Sequence, residues 1–169
     1  MRRTRSARRR VGCALAHEAA HQWWGVLVTC ADWGHFWLNE GFAVFLAAAF
    51  EERQSGRDAY LRQVASWQAR VERLRADGHD HPLVYAEWVR PTADDRAVVY
   101  QKGAYVLHLL REAVGEQAFW RGIREYTLAH RGASVTTADF QRAMERSAGR
   151  DLGAFFDRWA WGGLRQSGP

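Results

Sequence analysis

The chain has 169 residues, 47% of them hydrophobic and nine of them Trp, with a formal net charge of +5 at pH 7. That length supports one domain with its own core, and no apolar run reaches the roughly eighteen residues that a membrane span needs. Arg2, Arg3, Arg5, Arg8, Arg9 and Arg10 hold the excess charge; beyond them 18 basic side chains face 19 acidic ones, so no nucleic acid is expected on the body.

Residues 1–10 read as a disordered, solvated basic arm. A nucleic-acid or acidic-membrane arm, or an Arg-rich transit peptide, is the functional alternative for that stretch. A secretory signal is not expected, because the apolar run from Val11 to Ala16 is short and leads directly into His17. Cys13 and Cys30 form no C-x-x-C and no disulfide framework. They read as small buried thiols, which fits a reducing, cytoplasmic setting.

Residues 11–24 are predicted to form the first helix. Leu15, Ala19 and Trp23 share one face and Ala14, His17 and His21 another, the pattern of a buried helix flooring a site; Gly25 can end it. His17-Glu18-Ala19-Ala20-His21 is an H-E-x-x-H pattern. Residues four apart on a helix project from the same face, and two neutral imidazoles held so can each give zinc a nitrogen. Glu18 between them is left to act as a base. Glu40 follows His21 by nineteen residues and offers a carboxylate as third ligand. Two His and one Glu leave the fourth position open for water, as a catalytic zinc site requires. With seven His and ten Glu in the chain, H-E-x-x-H arises from composition alone with a chance of roughly 2%, and the added Glu lowers this to about 0.1%.

Val26 to Cys30 reads as a short extended or loop passage, and Asp32 as a turn residue or cap. A second helix is predicted from Phe36 or Leu38 to Gln54, with Gly56 just past its end. Its apolar body, Phe42 to Phe50, implies burial on most sides, and Asn39 reads as a structural polar residue. Asp58 is the predicted N-cap of a third helix reaching Ala76, with Leu61, Val64, Gln68, Val71 and Leu74 at helical spacing. Residues 79–95 read as loop, its His79 and His81 as solvated groups rather than a metal pair. Asp94 and Asp95 stand where they can fix the loop that presents Tyr100. A fourth helix is predicted over 101–114 with Tyr105, Val106 and Leu109 inward and His108 a packing residue, and a fifth over 116–129 on Phe119, Ile123 and Tyr126. Thr136 or Thr137 should cap a sixth to about Ala148, and Asp151 a last one bearing Leu152, Phe155, Phe156 and Trp159. The chain is thus mainly α, with about seven helices. No G-x-x-x-x-G-K, G-x-G-x-x-G or G-x-S-x-G occurs, so phosphate-loop and serine-hydrolase chemistry lack support.

The wider words His17-Glu18-Ala19-Ala20-His21-Gln22-Trp23-Trp24-Gly25, Leu27-Val28-Thr29, Asp32-Trp33 and Trp37-Leu38-Asn39-Glu40-Gly41-Phe42-Ala43 closely resemble the zinc-site region of the gluzincin aminopeptidases, the membrane alanyl aminopeptidase family to which leukotriene hydrolase also belongs. Tyr100-Gln101-Lys102-Gly103-Ala104 looks like that family's Y-x-K-G-A segment. The resemblance implies the helical part of a thermolysin-like metallopeptidase catalytic domain over 11–169. It implies one Zn2+ per chain on His17, His21 and Glu40, with Glu18 as general base and the Tyr100 hydroxyl on the tetrahedral intermediate. The substrate it implies is a peptide with a free N-terminus, cut at the N-terminal peptide bond. The chain departs from the family in three ways. It has no G-x-M-E-N loop before the zinc helix, no upstream β-rich half, and Ala47 where the family usually places a glutamate beside a zinc histidine. Losing such a support typically costs about 10–100-fold in metal affinity or activity. An alternative reading is therefore a zinc-binding fragment or pseudoenzyme without turnover, with oligomerisation or a missing-domain contact over exposed apolar surface. A third is an arginine-arm binder of nucleic acid on an inert zinc scaffold.

Overall fold

The computed structural model describes residues 12–86 and 88–162; the basic arm expected at 1–10 lies outside them. Helix α1 (12–20) ends in a turn at His21–Trp23. Strand β1 (Val28–Cys30) and a 3-10 turn (Trp33–His35) lead into α2 (Trp37–Ser55) and α3 (Arg57–Ala76). A long loop follows, then α4 (Ala93–Ala97), a π-helical segment (Val98–Lys102) and α5 (Gly103–Val114). The chain continues through α6 (Glu116–Ala129), β2 (Ala133–Val135), α7 (Thr137–Ala148), α8 (Gly153–Phe156) and a second π-helical segment (Asp157–Trp161). The mainly helical class expected from the sequence is what forms.

Helix α2 is the axis. Its residues are apolar nearly all round, so it must be covered on most sides. Trp37, Leu38, Phe42, Phe45, Ala47 and Ala48 are all buried. α3 and α5 pack along it. Its Phe42 meets Phe140 of α7 edge-to-face at 5.2 Å, and Phe45 meets Phe119 of α6 at 5.4 Å. Such aromatic pairs add about 0.5–1.5 kcal/mol each beyond area burial. The predicted α6 register holds, with Phe119, Ile123 and Tyr126 all buried.

A polar knot ties the start of α2 to α7 across a hundred residues. Trp37 Nε1 donates to Thr137 Oγ1 at 2.9 Å, and the Thr137 backbone N–H donates to His35 Nδ1 at 3.2 Å. Burial holds the His35 imidazole below its ordinary pKa, which keeps Nδ1 available as an acceptor. Beside this knot β1 pairs in parallel with β2, in register Val28↔Ala133, Thr29↔Ser134 and Cys30↔Val135. Asn39 Oδ1 accepts the Cys30 N–H at 3.2 Å, the structural part expected of that residue. Asp32 caps the 3-10 turn through the Gly34 N–H at 2.7 Å, again as expected.

Several expectations fail locally. α1 is shorter than predicted; its Leu15 is 65% exposed and Trp23, on the turn that follows, 49%. With Phe50 of α2 they border an apolar groove of about 470 Å³, so periodicity found the apolar face but not its cover. Gly56, not Asp58, stands at the N-cap of α3. Trp67, not Gln68, faces inward and Leu61 stays out, because the larger side chains Tyr60 and Trp67 fill the space against α2 and α5. On α5, Val106 is buried while Tyr105 and Leu109 are half-buried. Leu152, not Asp151, is the N-cap of α8, although Asp151 still accepts the Gly153 N–H. Cys13 and Cys30 are only half-buried and form no disulfide.

Two helix backbones approach closely at a pair of glycines. A Cβ on Gly41 of α2 would stand 3.0 Å from Gly103 Cα and 3.1 Å from its carbonyl carbon. A Cβ on Gly103 would meet Gly41 Cα at 3.0 Å in return. Only hydrogen on both sides lets these backbones touch. Gly41→Ala is therefore expected to destabilise the fold by about 1–3 kcal/mol through overpacking, more than the roughly 1 kcal/mol that Ala gains over Gly within a helix. Urea unfolding of the variant beside the parent chain measures it.

Candidate metal centre

His17 lies on α1 and His21 on the turn that closes it, one helical turn further on, their rings 4.8 Å apart and edge-to-face. Gly25 makes this turn possible. Its φ is +136°, and a side chain there would press on His21 Nδ1 at 3.3 Å. The His21 Nδ1–H donates to the Trp24 carbonyl at 3.1 Å, which leaves Nε2 as a bare nitrogen facing inward. Trp24 is itself anchored by stacking on Phe42 at 5.3 Å.

Glu40 enters from the first turn of α2 and is buried, 9% exposed. Its Oε2 lies 3.4 Å from His17 Nε2 and 3.4 Å from His21 Nε2, and the two nitrogens are 3.2 Å apart. A tetrahedral ion bonded at about 2.0–2.1 Å holds its ligands about 3.3–3.4 Å apart. The three donor atoms therefore form one face of that tetrahedron. Glu40 Oε2 is a buried oxygen with no hydrogen-bond partner, and a buried anionic oxygen is costly unless paired or coordinated. Two nitrogens and one carboxylate oxygen suit zinc. Among the described residues this is the one His/Cys/Asp/Glu group of three or more with metal-site spacing.

Glu18 is exposed on α1 beside His17. Tyr100 sits in the middle of the π-helical segment, stacked on the His17 ring at 6.3 Å and 9°. π-helical turns interrupting α-helices recur at functional sites. Burial first, and then the negative charge of Glu40, push the Tyr100 phenol up to about 12, so it keeps its proton at neutral pH. Of the five residues singled out from sequence, His17, His21 and Glu40 converge on one point and Tyr100 stacks beside His17, whereas Glu18 is exposed on α1 next to that histidine. Their spacing on the chain hid what brings them there. Glu40 and Gly41 are neighbours, so the glycine contact that joins α2 to Gly103 also joins the carboxylate to Tyr100. Lys102 reaches the other way: buried, its Nζ donates to Asp80 and to the His81 carbonyl at 2.6 Å. The Y-x-K-G-A word held the signal for both.

His79 and His81 are not simply solvated. His79 Nδ1 pairs with Asp94, which also takes Arg70, and His81 Nε2 pairs with Asp95 at 3.2 Å. Asp95 closes a capping box at the start of α4 with the Thr92 N–H at 2.7 Å and hydroxyl at 2.8 Å. The two aspartates do fix the stretch before Tyr100, through the short helix α4, which forms where a loop is expected.

Comparison with known proteins shows the family. The model of the peptidase family M1 domain matches residues 1–159. The chain belongs to peptidase family M1. Aminopeptidase N of Lactococcus lactis subsp. lactis is 32% identical over 91% of this chain, and leucine aminopeptidase 2 of Aspergillus niger 34% over 83%. This M1 chain spans only 19% and 24% of those two relatives. Among solved structures, an M1 zinc metallopeptidase from Deinococcus radiodurans bound to the substrate Tyr-Ser-Ala superposes with a TM-score of 0.72 at 30% identity. That match covers 88% of this chain and 32% of the other. Yeast LTA4 hydrolase in complex with bestatin gives 0.69 at 26%, over 88% and 26%.

The Asp95 box gives an acid-stability signature. Burial works to raise this carboxyl, but the Thr92 N–H and hydroxyl and the His81 charge outweigh it and hold it below its ordinary pKa. A carboxylate depressed in the fold adds stability that is fully present above its unfolded pKa of about 3.9 and is lost as pH falls through the folded value. Asp95→Asn is expected to be less stable than the parent at about pH 7, with the difference closing below about pH 4. Urea midpoints across that range measure it.

Proposed function

We propose that this chain is the zinc-binding, catalytic portion of an aminopeptidase-type metallopeptidase acting on the N-terminal bond of peptides. The observation that carries the reading is the triangle of His17 Nε2, His21 Nε2 and Glu40 Oε2, with edges of 3.2–3.4 Å, one corner of it a buried carboxylate oxygen that makes no hydrogen bond. The relatives' names, aminopeptidases from bacteria, plant and fungi, supply the substrate class. When bound, zinc lowers the pKa of a water toward about 7 and polarises a carbonyl.

The chain's own residues do the rest. His17, His21 and Glu40 would hold the ion and leave one side open. Glu18, exposed beside His17, accepts a proton from water and returns it to the leaving amine. Tyr100, kept protonated, donates its O–H to the oxygen on which negative charge develops. Two unbridged thiols suit a reducing, cytoplasmic setting, and no helix among the described residues is long and apolar enough to cross a membrane.

A second reading, metal binding without turnover, is favoured by the exposed apolar groove on the outer side of α1. One experiment separates the two. Purified chain is analysed for zinc, unfolded thermally with and without zinc, and assayed on alanyl and leucyl chromogenic amides beside Glu18→Ala and Glu40→Ala. About one zinc per chain is expected, with stabilisation of roughly 2.7 kcal/mol when free zinc is a hundredfold above Kd. Glu40→Ala should lose that gain, whereas Glu18→Ala should keep it and lose turnover. Zinc in the parent chain with no turnover would select the second reading, and no zinc would refute both.

A further inference from the structure

The two zinc-facing histidines are supported unequally. His21 has its outer nitrogen tied to the Trp24 carbonyl. His17 makes its described polar contacts through Nε2, and no described residue takes its Nδ1. A metal-ligating histidine ordinarily hands that second N–H to a carboxylate, carbonyl or water, which fixes the tautomer and raises the ligand's basicity.

His17 lines an open cavity of about 350 Å³ between α1, α2 and α3, with Cys13, Glu18, Ala47 and Gln63 also on its walls. Ala47 ends at its Cβ, so the nearest α2 position on this side offers no polar atom. One helical turn further along α2, Glu51 is only 5% exposed. Its Oε2 accepts from Gln63 Nε2 at 3.1 Å and from the Cys13 thiol at 3.6 Å. Cys13 stands one turn before His17 on α1, so the carboxylate meets α1 about 6 Å below the metal-facing ring. An amide held by its NH2 end keeps its carbonyl oxygen for another donor, and Gln63 is both held by Glu51 and exposed to the cavity. The Gln63 amide gives this mainly apolar space a polar wall, and there is room for several waters at about 30 Å³ each.

We propose that Gln63 and Glu51 are positioning residues for His17. Through water in this cavity the Gln63 carbonyl oxygen accepts the His17 Nδ1–H, and Glu51 orients that amide. The relay holds Nε2 toward the metal in place of a carboxylate at position 47. It crosses from α3 to α1 and makes the grip of the ligand depend on a helix that supplies no ligand. The inference rests on the zinc reading above.

Zinc affinity of the full chain, measured by competition with a chromogenic chelator, tests it, with thermal unfolding of each zinc-free variant recorded alongside. Glu51→Gln and Gln63→Met are each expected to weaken zinc about tenfold, the lower end of the range for lost ligand support. Ala47→Glu is expected to strengthen zinc by a similar factor and to make Gln63→Met silent in its background, a rescue that general loosening of the fold would not produce. Gln63 is half-buried, so Gln63→Met decides the matter if Glu51→Gln fails to fold. Unchanged zinc affinity in a stably folded Gln63→Met overturns the proposal, as does an Ala47→Glu that neither tightens zinc nor silences Gln63→Met. Absence of zinc from the parent chain is a separate failure, seen before any variant is compared, and removes the reading on which the relay stands.

Discussion

Two helix backbones meet at Gly41 and Gly103 so closely that a side chain on either would clash, and the geometry of the candidate metal centre depends on that contact. α2 brings Glu40 to the site on the residue next to Gly41, and the π-helical segment brings Tyr100 three residues before Gly103. Close packing of backbones converts a small error in side-chain volume into a movement of whole helices, because protein interiors have little slack. The polar knot of Trp37, His35 and Thr137 and the short parallel pair of strands lock the same end of α2. The carboxylate thus arrives on a helix buried along most of its length, whereas the two histidines arrive on α1 and the turn that closes it, which are partly exposed.

That asymmetry has an energetic side. Three donors held within 3.4 Å of one another, one of them a buried carboxylate oxygen, are costly when nothing lies between them. Metal binding to such a set contributes directly to folding stability. The burden falls on α1 and the turn that closes it, whose Leu15 and Trp23 lie outside the core. The support of His21 by a carbonyl and of His17 through a cavity therefore matters more than it would on a buried helix.

The candidate site was legible because its chemistry is local in sequence. Helical spacing alone places His17 and His21 on one side, and Glu40 follows in a strongly helical stretch. α2 and α6 were legible for a related reason, since long apolar patterns with glycine ends leave little freedom. What escaped was decided by partners distant in the chain. α4 is a single capped turn inside a loop, and it exists because Asp95 and Thr92 bond reciprocally. β2 is three residues whose partner is a hundred positions earlier. His79 and His81 looked like solvent-facing groups until the fold brought Asp94 and Asp95 against them. Trp67 displaced Gln68 from the inner face because volume, not periodicity, settles a contested register. The depth of the glycine contact has no counterpart in a linear pattern, although both glycines sit inside the words that single out the site.

The π-helical segment at Val98–Lys102 makes the chain's length there a structural quantity. Each residue of a regular helix turns the chain by about 100° and advances it by 1.5 Å, and a π turn holds one residue more than an α turn in nearly the same rise. Between the α4 cap and Gly103 the chain therefore carries a count as well as a composition. Side chains in this stretch can vary while Tyr100 still faces the His17 ring. Removing a single residue would restore an ordinary helix and swing the phenol through roughly a quarter turn. For this protein an insertion or deletion of one residue, silent in most surface loops, would act as a rotation at the metal centre.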